Sequence, residues 1–69
     1  MATTIIITTS RVDDAFVAVP RGESGAEGTS KHCYEEAIRR ARARVLRRVA
    51  DRLEAGDDYG DVTFEIREG

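Results

Sequence analysis

The apolar positions change period along the chain. Thr3 to Thr9 reads TTIIITT, a run of β-branched residues that are stiff at χ1 and favour strands. Alternation puts Ile5 and Ile7 on one face and Ile6 on the other. Ser10 to Asp14 supplies turn formers, and Ala15 to Val19 (AFVAV) reads as a second strand ended by Pro20. Two short strands this close predict an antiparallel hairpin. From Tyr34 to Ala55 the period changes to that of a helix, in a stretch without Gly or Pro. Gly56 follows as a natural stop, and DDYGD makes a turn. Val62 to Arg67 (VTFEIR) alternates again, with Val62, Phe64 and Ile66 on one face and Thr63, Glu65 and Arg67 on the other.

Between the second strand and the helix lies RGESGAEGTS, where Gly22, Gly25 and Gly28 weaken any regular element. A short extra strand fits only around Ala26 to Thr29. Thr29 or Ser30 is a candidate helix cap, and Cys33 has the capping-box spacing to Glu36. The expected fold is α+β in the order β-β-α-β: a three-stranded sheet, four-stranded if the extra strand forms, with one long or broken helix on one face. The expected core is Ile5, Ile7, Phe16, Ala18, Tyr34, Ile38, Ala41, Val45, Val49, Leu53, Val62, Phe64 and Ile66. Continuous over Tyr34 to Ala55, the helix is about 33 Å long. It then outruns six-residue strands of roughly 20 Å and must overhang, bend or meet a partner.

Charge divides along the chain. The net charge is −2 over 69 residues, yet residues 34–55 carry +3 and residues 56–69 carry −4. Arg39 to Arg48 holds six arginines and no acid. Arginine presents a planar fork suited to phosphate or carboxylate, so Arg39, Arg40, Arg44, Arg47 and Arg48 form one candidate binding face, for nucleic acid or an acidic protein. The bland alternative is a solvated helix face. Asp57, Asp58 and Asp61 form a second candidate, an acidic patch for a basic partner. A negative net charge and few aromatics count against nucleic acid.

The length sets one small domain over residues 1–69, of a size that gains from a partner or a homodimer. The single cysteine rules out an intrachain disulfide and suits a reducing, cytoplasmic setting. The N-terminal stretch has no basic n-region and only a three-residue apolar run, so neither a signal peptide nor a membrane partner is expected. His32 and Cys33, the only residues of their kinds, are adjacent, which is poor geometry for a nucleophile and its base. They are too few for a zinc site, and DDYGD lacks the ligand spacing of a calcium loop. The glycine spacing is neither a dinucleotide nor a P-loop fingerprint. No enzymatic activity, cofactor or metal is expected.

Gly28-Thr29 and Glu35-Glu36-Ala37, set between two strands and a final strand, resemble the G-x-T-x-x-E-E-A helix entry of HicB-type antitoxin domains. The position of that family's capping Thr falls on Cys33, and its aromatic-rich second strand is reduced to Phe16 to Gly22. The resemblance implies a dimer that neutralises an RNA-cleaving toxin by covering its surface. Gly28 to His32 is also similar to the G-x-S-K-K entry of double-stranded-RNA-binding domains, but the later lysine falls on Glu35 and that family's first helix is missing. In size and type the chain further resembles phage-encoded inhibitors such as anti-CRISPR proteins. The expected function is therefore a non-enzymatic protein-binding module of antitoxin or inhibitor type, its partner a toxin or a nucleic-acid-targeting complex. Two alternatives stand beside it: an anti-CRISPR-type inhibitor whose Asp57, Asp58 and Asp61 mimic phosphates, and a nucleic-acid binder using the five arginines.

Overall fold

The computed structural model describes residues 2–69. Four strands and one helix follow in the order β1 (Ala2–Val12), β2 (Ala15–Pro20), β3 (Gly28–Ser30), α1 (Tyr34–Glu54) and β4 (Asp61–Glu68). The fold is α+β, with one mixed sheet in the order β3-β2-β1-β4. β1 and β2 form the expected hairpin, closed by the two residues between Val12 and Ala15. Asp13 takes a positive φ of 54°, which a two-residue loop requires and Asp tolerates. The short strand before the helix exists and pairs antiparallel with β2. β4 runs parallel to β1, so α1 is the crossover that returns the chain to the far edge of the sheet.

Register sorts the side chains as the alternation requires. Ile5 lies beside Phe64, Ile7 beside Ile66 and Thr3 beside Val62 on the helix side of the sheet. Ile7 faces Pro20, and Thr9 faces Ala18, across the hairpin on that same side. Ile6 and Thr8 pair with Glu65 and Arg67 on the opposite side. The fully enclosed core is built from small residues: Ala18, Ala26, Ala37, Ala41 and Val45 around Ile7. A Cβ on Gly28 would stand 2.0 Å from the Ala37 carbonyl oxygen and 2.6 Å from the Ala41 nitrogen. Gly28, Ala37 and Ala41 thus let the helix settle directly onto β3, and α1 rests mainly on β3 and β2 rather than over the middle of the sheet.

That offset changes the expected core. Ile5, Ile7, Ala18, Ala41, Val45 and Val49 are buried as expected. Phe16, Ile38, Val62 and Phe64 are only partly buried, while Tyr34, Leu53 and Ile66 are exposed. The expected length mismatch is also corrected. β1 has 11 residues, about 36 Å at 3.3 Å per residue, and matches the 21-residue helix. The strand gains this length because Ala2 and Ser10 to Val12 continue it into the turn formers, where β2 supplies a partner as far as Ala15.

Candidate protein-binding surface

The five arginines singled out on the helix do not share one role. Arg40, Arg44 and Arg48 recur every fourth residue and lie on the side of α1 that faces β3 and the β2–β3 connection. Arg40 Nη1 donates to the Thr29 carbonyl at 2.6 Å and its Nη2 pairs with Glu36 at 3.0 Å. Arg44 donates to the Glu27 carbonyl. Arg48 pairs with Glu23 at 3.3 Å. These three side chains form a ladder that ties the glycine-rich segment to the helix. Two of their acceptors are backbone carbonyls at or beside β3, the short edge of the sheet. The Glu27 carboxyl is held below its ordinary range, first by backbone N–H groups, its own and that of Gly25, and further by Arg48 and Arg44. Arg39 and Arg47 are exposed and make no ion pair among the described residues.

At the helix entry the Cys33–Glu36 capping box does not form. Cys33 occupies the cap position with extended backbone but makes no side-chain cap bond. Buried Ser30, one of the candidate caps, lies outside the helix proper and holds the turn that leads into it. Its Oγ accepts from the backbone N–H of His32 at 3.0 Å and of Cys33 at 3.3 Å, and donates to Glu36 Oε1 at 2.9 Å. This last hydrogen bond is the first cause holding the Glu36 carboxyl below its ordinary range, with Arg40 adding to it. His32 and the Cys33 thiol are exposed. Among the described residues, no group of three or more His, Cys, Asp or Glu side chains comes together.

The acidic candidates lie in the α1–β4 connection and at the start of β4. Asp57, Asp58 and Asp61 are all exposed, and among the described residues only Asp58 has part of its carboxylate engaged, by the Gly60 N–H at 2.8 Å. Nearby, the Arg52 guanidinium donates to the Tyr59 hydroxyl and stands 5.7 Å from that ring's centroid.

A further surface follows from the helix offset. Because α1 sits over β2 and β3, the helix side of β4 is left partly open. Tyr34, Leu46, Leu53 and Ile66 are 38 %, 46 %, 50 % and 45 % exposed. Arg42 lies over the Phe64 ring at 5.1 Å and shows which flank of the helix faces β4. The fourfold spacing carries that flank from Ile38 through Arg42 to Leu46, and Leu53 lies two turns farther on. At one end, Thr9, Tyr34, Ile38 and Ile66 line a shallow cleft of about 400 Å³, closed by Glu68 and Gly69. The result is an apolar strip along α1 and β4, bordered on the helix by Arg39 and crossed by Arg42 over the Phe64 ring. The amphipathic pattern already contains most of its residues, but it assigns them to the core because a sequence period does not say which strands a helix covers.

Among the described residues, no helix is long and apolar enough to cross a membrane. No family model matches the chain, and comparison with curated proteins and with solved structures gives no match.

Proposed function

We propose that this chain is a non-enzymatic protein-binding module of antitoxin or inhibitor type, which covers part of a partner protein with the strip along α1 and β4. One observation carries the reading. Four large apolar side chains, Tyr34, Leu46, Leu53 and Ile66, stand exposed along one flank of a domain too small to leave apolar area idle without cost. Arg39 borders the strip and Arg42 stands within it over the Phe64 ring, so the matching partner surface is apolar with a carboxylate placed to meet these guanidinium groups. The arginine ladder supports this reading over a nucleic-acid binder. Arg40, Arg44 and Arg48 commit their guanidinium groups to Thr29, Glu27 and Glu23 of the same chain. A phosphate backbone would compete with those bonds and find only Arg39 and Arg47 unengaged among the five.

The acidic connection supports a second reading. Asp57, Asp58 and Asp61 present carboxylates to solvent close together in the chain and suit a basic, phosphate-binding partner surface.

The two are separated by quantitative affinity capture with three forms of the chain: wild type, Leu46→Lys/Leu53→Lys, and Asp57→Lys/Asp58→Lys. A protein reconstituted with the purified wild type, lost with the first variant and kept with the second, is the expected result. Loss only with the second variant would transfer the function to the acidic patch. Nucleic acid bound at ~50 mM salt, with affinity falling steeply as salt rises, would overturn both.

A further inference from the structure

The two edges of the sheet are finished differently. β3 is three residues long, and the carbonyls of Thr29 and, just before it, Glu27 are taken by Arg40 and Arg44. β4 has eight residues, with no Pro, Gly or Lys to blunt it, and among the described residues no element covers its outer edge. The Gly69 N–H donates to the Thr9 carbonyl at 2.7 Å, so odd-numbered residues of this segment turn their backbone groups toward β1. Alternation then turns the N–H and C=O groups of Val62, Phe64, Ile66 and Glu68 outward, unpaired.

We propose that the occupant of this edge is a second copy of the chain, paired β4 to β4 antiparallel about a two-fold axis at Phe64. The charge sequence of the strand selects both the partner and the register. With the axis at Phe64, Asp61 stands opposite Arg67 of the other copy, twice by symmetry, and Thr63 stands opposite Glu65. On the helix side, Val62 meets Ile66 and Phe64 meets Phe64. Moving the axis by one residue brings like charges together: at Glu65 two glutamates face each other, and at Thr63 Asp61 faces Glu65. An axis at Ile66 leaves only about five residues of each strand in register. The Phe64 axis keeps about seven, with about six interchain backbone hydrogen bonds from the outward-facing groups. A strand that reads acid, apolar, polar, apolar, acid, apolar, base is complementary to its own reverse, as a two-fold interface requires. The pairing joins two four-stranded sheets into one continuous sheet and sets the apolar strips of the two copies on the same face. It uses the backbone edge of β4, and of the four strip residues only Ile66 takes part, opposite Val62, so it stands whether or not the rest of the strip binds the partner proposed above.

The test is the molar mass of the purified full chain across a concentration series, by size exclusion with light scattering, with folding of every variant confirmed by circular dichroism. The wild type is expected to form a dimer of twice the 7.6 kDa chain mass. Arg67→Glu sets a carboxylate against Asp61 of the other copy and is expected to weaken the dimer at least tenfold. The double exchange Asp61→Arg/Arg67→Asp restores opposite charges about the Phe64 axis and is expected to recover most of the loss. About an axis at Ile66, the same exchange would set the new aspartate against Glu65 and recover nothing. Failure of the double exchange to recover the dimer, or a wild type that stays monomeric at millimolar concentration, overturns the proposal. So does an Arg67→Glu variant that dimerises like the wild type. The strip variant Leu46→Lys is expected to leave the dimer intact, which keeps this test separate from that of partner binding.

Discussion

Gly28 and Ser30 open and close the same short strand with opposite jobs, and both are hard to read as sequence. Gly28 sits in a glycine-rich run that suggests a loose loop, yet a Cβ there meets backbone rather than a movable side chain. Gly28→Ala is therefore expected to cost about 3 kcal/mol or more, read as a lower denaturant midpoint. Gly22 has open space around it but a φ of 80°, so its Ala variant tests conformational strain alone. Ser30 is visible in the sequence as a capping candidate, but its bond to Glu36 is not, because it spans the gap between strand and helix. Ser30→Ala is expected to cost about 1 kcal/mol through loss of its hydrogen bonds to His32, Cys33 and Glu36. The Glu36 carboxyl is depressed in the folded state, so its contribution is complete above the ordinary value of 4.5 and is lost as pH falls through the lowered one. Denaturation at pH 6 and pH 3 should show the wild type losing more stability on acidification than Glu36→Gln. Equal losses would remove the linkage.

At the scale of elements, periodicity reveals the helix, the hairpin and the last strand, because each carries its own uninterrupted pattern. It reveals β3 only as an option, since so short a strand holds no period. What establishes β3 is tertiary: pairing with β2, contact with Ala37 and Ala41, and the arginine ladder. The same physics explains why the arginines read as one face in the sequence. Their spacing separates Arg40, Arg44 and Arg48 from Arg39 and Arg47, but only the position of β3 says that the first three turn inward to the chain. Each rung is at least partly open to solvent and worth at most about 1 kcal/mol. Arg44→Ala/Arg48→Ala is thus expected to leave global stability within ~2 kcal/mol while speeding amide exchange locally in residues 23–30. Unchanged exchange there would show the rungs to be ornamental.

Across the whole molecule, the helix offset decides which apolar residues support the fold and which face outward. Alternation alone treats Ile7 and Ile66 as equals, and they are cross-strand neighbours. Ile7 is enclosed and Ile66 is not, so Ile7→Ala should cost about 2–5 kcal/mol and Ile66→Ala less than half as much. Comparable losses would mean that β4 is as fully covered as β1. The fold class can be read from pattern alone. The half-covered sheet cannot, since it depends on how closely Gly28 admits the helix. The parallel pairing of β1 with β4 has one more consequence, for the order of events during synthesis. That ladder ties together residues as far as 59 apart in the chain, such as Thr4 and Thr63. Distant pairings of this kind close slowly. Until the ribosome has delivered residues 61–68, the nascent chain can assemble its hairpin and helix but must hold Ile5 and Ile7 beside a bare strand edge, the stage at which a chaperone or a neighbouring nascent copy has its opening.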